Sequence, residues 1–375
     1  MSDHLPLKGI TVVELGHSVA APYTGLVFAE LGADVIKIEK PGGGDDARGW
    51  GPPFADGAGT MFNALNRHKR SVTIDLKAAD GAAQVRRLTD TADIFVQNLR
   101  PGQAEDYGLG PDQLCASNPR LIYASVTAYG DEGPLADRPG YDPLMQAFGG
   151  IMSVTGEEGR PSVRVGTSIV DMATGMWVVV GALAALNTRS QTGRGSVIGT
   201  SLYETALGWM TYHAPSYAVS KELPKKHGSG IFTVAPYQAF NASDGEIIVA
   251  AGNDNLFRKL AAVLGHPEWA DDPRYKTNRD RVTNRTVLCD AIAKIMVGAT
   301  TTAWMEKLEA AGVPCAPVQT MDRVMTHPQT LALDILRPGG SGATYFGLPL
   351  RFDGKRPNRN DPPPQLGADN ALLKK

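Results

Sequence analysis

Short apolar runs alternate with helix-length segments through the first third of the chain. Residues 9–15 (GITVVEL) end at Gly16, a helical stretch over 22–31 follows, and a second apolar run spans 34–39. Runs of this length, rich in Val and Ile and bounded by Gly or Pro, read as buried strands, and the helix between them completes a βαβ unit. Further runs at 71–76, 94–96 and 121–126 alternate with helix-like segments such as 81–89. The pattern predicts an α/β fold with a large Rossmann-like domain built on a parallel sheet. Its crossovers are right-handed, and ligands sit beyond the carboxyl ends of the strands, where loops 16–21 and 40–50 emerge.

The pattern changes further along. The uncharged stretch 172–188 holds 17 residues with two glycines and two threonines, which predicts a buried helix over 171–187 rather than a membrane span of about 20 apolar residues. A second helix over 202–218 is expected to kink or break at Pro215. Lysines and glycines at 221–230 mark a boundary, after which PYQAF, the Asp244-Gly245 turn and EIIVAAG predict a β-hairpin. Helices near 256–264, 287–297 and 302–311 complete a smaller α+β domain. The expected organisation is a large domain over 1–190 joined by 356–375, linkers at 191–225 and 321–355, and a small domain over 226–320.

Composition narrows the function. With 42% hydrophobic and 20% charged residues the chain is globular, and 37 Lys+Arg against 39 Asp+Glu leave no basic field for nucleic acid or an anionic membrane. Three scattered cysteines (115, 289 and 315) support neither a disulfide scaffold nor a cysteine zinc site. The opening MSDHLPLKG has an acid and no apolar signal core, so a cytoplasmic location is expected. No motif for a zinc protease, an EF-hand or a P-loop occurs, and no metal is expected.

Glu39 stands about 20 residues after Gly16, where a dinucleotide fold places its ribose-binding acid, but Gly16-His17-Ser18-Val19-Ala20-Ala21 lacks the further glycines that reading needs. The same turn matches a hydrolase nucleophile elbow except for Ala20, and it follows the first strand, too early for that fold. His17 alone reads as a turn residue as readily as a catalyst, and Gly42 to Gly44 as a flexible turn as readily as a phosphate cradle. Asp171 is the most informative acid, because it stands between apolar Ser168-Ile169-Val170 and an apolar helix. It reads either as the helix N-cap or as a nucleophilic carboxylate.

VVELGHSVAAP, LGADVIKIEKPGGGDDARGWGPPF, NRHKRSVTIDLK, PGYDPLMQAFGG, GTSIVDMATG and TGRG, in this order, resemble the family III (CaiB/BaiF-type) CoA-transferases, which include formyl-CoA transferase and the carnitine CoA-transferases. GDDARGWGPPF, VAPYQAFNASDGEIIVAAGN and YKTNRDRVTNR are most similar to the succinate–hydroxymethylglutarate CoA-transferases. The resemblance implies that Asp171 is the nucleophile. It also implies that CoA contacts His17, Ser18, Val19, Lys40, Ile74, Asp75, Leu76, Lys77, Asn98, Leu99, Arg100, Arg138, Pro139, Gly140 and Tyr141. Lys40 falls where an arginine contacts CoA in formyl-CoA transferase, Asp106 replaces an arginine found in several members, and Gly199 stands where many carry aspartate.

The substrates implied are an acyl-CoA, succinyl-CoA or a similar dicarboxyl-CoA, and a carboxylic acid acceptor, with an interlocked homodimer as the assembly. Arg48, with Arg164 and Arg67 behind it, is the expected cation for a substrate's second carboxylate, and Gly228 and Gly230 or the turn at 17–19 are candidate oxyanion donors. Two alternatives stay open. An α-methylacyl-CoA racemase shares the resemblance but carries Gly-His-Asp where this chain has Gly140-Tyr141-Asp142, and a phenol ionises only near pH 10. A non-catalytic CoA-binding module is the other.

Overall fold

A computed structural model describes residues 5–374. Residues 1–4, the start of the segment read for an export signal, and residue 375, the last of the expected 356–375 segment, lie outside it. The chain forms two compact units: one takes residues up to Ile151, Val165–Tyr212 and those from Pro328 on, and the other takes Met152–Arg164 and His213–His327.

The first unit is built on six parallel strands: β1 (Thr11–Leu15), β2 (Asp34–Glu39), β3 (Lys69–Thr73), β4 (Ile94–Gln97), β5 (Ile122–Thr127) and β6 (Val197–Ser201). They lie in the order β3-β2-β1-β4-β5-β6, so the winding reverses between β1 and β4. Around the sheet stand α1 (Ala20–Glu30), α2 (Gly81–Thr89), α3 (Asp142–Phe148), α4 (Ile169–Thr192) and α5 (Leu202–Trp209). Alternate strand residues supply two cores. Val12, Val35, Ile94, Val96, Ile122 and Ala124 cluster with Phe28 of α1 and Val178 and Ala182 of α4. Val13, Ile36, Val72, Phe95 and Tyr123 cluster with Val85 of α2, Leu109 and Leu114. Burial on both faces explains why these strands read as continuous apolar runs.

Three expectations change. The third strand starts at Lys69 rather than at residue 71, because the Lys69 side chain is buried against Glu14 and behaves as an interior position. β6 falls in the stretch expected as a linker; VIGTS has only two large apolar residues and lies at the sheet edge. α4 runs for 24 residues, is long and apolar enough to cross a membrane by length and composition, and is only half buried. Met176, Trp177 and Val180 on it are more than half exposed.

The 364–374 segment is fastened to β3. Ser71 N donates to Asp369 Oδ2 (2.9 Å), Thr73 N to Asn370 Oδ1 (2.8 Å), and Gly367 N to Ser71 Oγ (3.0 Å).

The second unit contains the expected hairpin, β7 (Tyr237–Asn241) and β8 (Glu246–Ala250), extended by β9 (Cys315–Pro317) into an antiparallel sheet. Helices Asp254–Val263, Arg285–Met296 and Thr301–Ala310 pack on it through Phe257, Leu260, Leu288, Ile292 and Leu308. The expected helix over 202–218 does break, but at residues 210–212, ahead of Pro215. Pro215 lies in the first turn of helix His213–Ser220, where a missing N–H costs nothing.

Candidate active site

Beyond the carboxyl ends of β1, β2, β4 and β5, where the winding reverses, two clefts open in the first unit, as expected for a doubly wound sheet. One, of about 360 Å³, is lined by Lys40, Asp46, Ile74 through Lys77 and Tyr107 among others. The second, of about 270 Å³, is lined by Ser18, Val19, Asn98, Arg100, Arg138 through Tyr141 and Asp171. His17, Asp46 and Leu99 line both. Every position that the sequence suggested for CoA therefore lies in one of two adjoining clefts, and Asp171 lies in the second.

Asp171 is the third residue of α4 and is 9% exposed. It does not cap its helix. Asp142, from α3, accepts Val170 N (2.8 Å) and Asp171 N (3.3 Å) on Oδ2, while Gln146 Nε2 donates to its Oδ1 (2.6 Å). A tertiary carboxylate thus satisfies the orphan N–H groups of α4 and takes the favourable place at its positive end. The Asp171 carboxylate accepts no hydrogen bond among the described residues. Burial, with the Asp142 charge beside it, pushes its carboxyl up to about 7. A buried, unpaired carboxylate facing a cleft is poised to react with an electrophile.

The His17–Ser18–Val19 turn is held tightly. Asn98 Oδ1 accepts His17 N (3.0 Å), and Asn98 Nδ2 donates to His17 O (3.0 Å). Ser18 takes a left-handed φ of 69° and donates its N–H to Asp45 Oδ1 (3.1 Å). Gly16 must be glycine here, since a Cβ would lie 2.3 Å from Ala21 Cβ. The N-terminus of α1 opens on the Asp171 cleft through Val19 and Ala20, with no acid in its first turn.

Beneath the turn lies a charge network that the sequence did not reveal. Lys37, fully buried, donates to Glu14 (2.9 Å) and the Gly16 carbonyl (2.8 Å) and forms an ion pair with Asp45 (3.0 Å). Lys69 bonds the other Glu14 oxygen (2.8 Å). The signal available was a pair of interior charges, Lys37 and Glu39, within an otherwise apolar strand, matched by opposite charges in GDDAR.

Arg48 is not a free substrate cation. Its Nε and Nη2 reach Glu39 at 2.8 and 2.7 Å, Nη2 also donates to Pro364 O, and the guanidinium lies 3.9 Å from the Phe62 ring centre. Arg67 is buried against Glu30 at 2.6 Å, and Arg164 belongs to the second unit. Gly228 and Gly230 also lie in the second unit, with their N–H groups already donating to Gly156 O (2.8 Å) and His227 O (2.9 Å). Neither N–H is open to an oxyanion in this conformation. The cations that do open on the Asp171 cleft, and form no ion pair among the described residues, are Arg100 and Arg138. Lys40 pairs with Asp46 (2.5 Å) in the open, where a phosphate can compete for it. At Gly199 a Cβ would lie 2.9 Å from the Oδ2 of exposed Asp131, a side-chain end that can move aside, and nothing in the structure explains the glycine there.

Comparison with known proteins agrees with this geometry. The family model for CoA-transferase family III matches residues 7–370. The human succinyl-CoA:glutarate CoA-transferase is 34% identical over 371 residues, covering 98% of this chain and 85% of that protein. The succinate–glutarate CoA-transferase of Agrobacterium fabrum is 35% identical, covering 98% of this chain and 94% of that protein. The crystal structure of a CaiB/BaiF family protein from Brucella suis superposes with a TM-score of 0.88 at 38% identity, covering 98% of both chains. From its matched length, its doubly wound sheet and its cleft, the chain belongs to CoA-transferase family III and is a CoA-transferase.

Proposed function

We propose that the protein moves CoA from succinyl-CoA, or a similar dicarboxyl-CoA, to a small carboxylic acid, with Asp171 as covalent carrier. The observation that carries the reading is the placement of Asp171, buried and without a hydrogen-bond partner, in the cleft bordered by Arg100, Arg138 and the N-terminus of α1.

Exchange of one thioester for another needs no ATP. The ionised Asp171 attacks the donor carbonyl and the C–S bond breaks, leaving an aspartyl mixed anhydride and CoA thiolate. The thiolate attacks the aspartyl carbonyl, releasing the donor acid and forming aspartyl-CoA. The acceptor carboxylate attacks that thioester, expelling the thiolate and forming a second anhydride. Thiolate attack on the acceptor's carbonyl then yields the new acyl-CoA and restores the Asp171 carboxylate. Each attack builds an oxyanion, and the N–H groups at the positive end of α1, which opens on the same cleft, are its donors in this reading.

A dicarboxylate needs a cation for its far end, since an unpaired carboxylate in a cleft is costly. Arg138 and Arg100 supply two, and the names of the human and Agrobacterium relatives carry dicarboxylates. The racemase alternative loses ground because Tyr141, in place of its histidine, is 56% exposed and Asp142 is committed to capping α4. We read the exposed strip of α4 (Met176, Trp177, Val180) as the contact of a homodimer in the cytoplasm rather than a lipid face, because Asp171 and Arg189 at its two ends are buried.

The test is Asp171→Ala. Transfer between acids, followed by mass spectrometry of the CoA products, is expected to vanish while CoA binding persists. Hydroxylamine added during turnover is expected to trap the wild type at Asp171. Retention of more than about a tenth of the wild-type rate would overturn the carrier role.

A further inference from the structure

The GDDAR turn and strand β2 interlock by charge. Lys37 and Glu39 are two residues apart and share a face of β2; they meet Asp45 and Arg48 respectively, so a base on the strand holds an acid on the turn and the reverse. Asp45 reaches from this exchange to the Ser18 amide. Its side chain is 1% exposed; Oδ2 lies 3.0 Å from Lys37 Nζ, and Oδ1 accepts Ala47 N (3.0 Å) and Ser18 N (3.1 Å). Burial opposes its charge, but Lys37 and the two N–H groups outweigh burial and hold the carboxyl below the usual range.

From these contacts we infer that Asp45 is a positioning residue for the transfer site: it fixes the left-handed turn at Ser18 and thereby the wall that His17, Ser18 and Val19 present to both clefts. Ser18 has a side chain in a conformation that glycine favours, so something must hold it there. Lys37 on Gly16 O and Asn98 on His17 anchor one side of the turn, and Asp45 anchors the other. Glu14 is shared between Lys37 at 2.9 Å and Lys69 at 2.8 Å and balances only one of these two buried cations, so Asp45 supplies the second charge. Asp45 adds the acceptor aimed at the Ser18 amide. The inference rests on the reading that CoA occupies these clefts.

The experiment compares Asp45→Asn, which keeps the Oδ1 acceptor, with Asp45→Ala, which removes it. Three quantities are read: the dissociation constant of free CoA by calorimetry, KM and kcat for succinyl-CoA, and amide exchange of a peptide spanning 16–22. Expected are a rise of at least tenfold in Kd and KM and faster exchange in the alanine variant, with Asp45→Asn within about threefold of wild type. A purely structural role would lower the melting temperature or the active fraction of the alanine variant and leave KM, Kd and exchange unchanged; that result overturns the proposal. Equal losses in both variants overturn it too, because charge rather than the amide contact then matters. If Asp45→Ala does not fold, Asp45→Ser, too short to reach Ser18, replaces it, and failure of both to fold makes Asp45 a folding residue and rejects the inference. Failure of the wild type to bind CoA at all would instead reject the reading of the clefts.

Discussion

Replacing Asp171 by asparagine should make the protein more stable while abolishing its chemistry, by an amount that follows from the site. The Asp171 carboxyl moves from 3.8 to about 7 through burial and the neighbouring Asp142 charge. Between those values the folded state keeps a proton that the unfolded chain has released, so wild-type stability falls as pH rises through the window and levels off above it. A shift of about three units corresponds to about 4 kcal/mol once Asp171 is ionised in the folded state, and to only about 1.7 kcal/mol at pH 5. Asparagine has the same shape and no charge, and its amide can donate toward Asp142, so the variant escapes this cost. Urea unfolding of both proteins, without CoA, at pH 5 and pH 8 isolates the effect, because other titrating groups cancel in the difference. The advantage of the variant should be larger at pH 8 than at pH 5 by about 2.5 kcal/mol. A difference that is the same at both pH values within about 0.5 kcal/mol would show that Asp171 is not strained by its charge, and the pH argument would fail.

The same carboxyl governs rate. Since the carboxylate is the nucleophile, kcat/KM should rise with pH to a plateau, with an apparent value near 7 and about a tenth of the plateau at pH 6; a flat profile from pH 5 to 8 would refute this. Arg48→Met strands Glu39, which is nearly fully buried, and should cost about 3 to 5 kcal/mol by denaturant unfolding while leaving the ratio of succinyl-CoA to acetyl-CoA use unchanged. Arg138→Gln should do the opposite, depressing succinyl-CoA use more than acetyl-CoA use in steady-state assays; equal losses would restrict Arg138 to CoA itself. For the homodimer contact proposed on α4, Trp177→Glu should lower the melting temperature and the fraction of wild-type protein that runs at dimer mass in light scattering, and no change in either would remove α4 from that contact.

What the sequence revealed and what it hid divide along a physical line. Strands β1, β2, β4 and β5 were legible because burial on both faces makes them rich in Val, Ile and other apolar residues, with few polar ones. β6 was not, because an edge strand can afford VIGTS. The Asp171 position was legible as an acid in apolar surroundings. Its meaning changed with Asp142, whose capping of α4 is a contact across 28 residues that no local pattern encodes. Arg48 was misjudged for the same reason: a guanidinium in a polar loop looks free to grip a substrate carboxylate until Glu39 is placed beside it. The pairing of Asp45 with Ser18 spans 27 residues and depends on a left-handed φ, neither of which a single sequence displays.

The 364–374 segment has a consequence for solution behaviour. β3 borders the sheet, and a bare border strand offers its peptide groups to any passing chain as a template for sheet extension. Asp369 and Asn370 occupy the amides of Ser71 and Thr73 without adding a strand of their own, so the border is closed by side chains that cannot propagate it. A chain lacking residues 364–375 would therefore lose its guard against sheet extension along β3, and its self-association would rise with concentration.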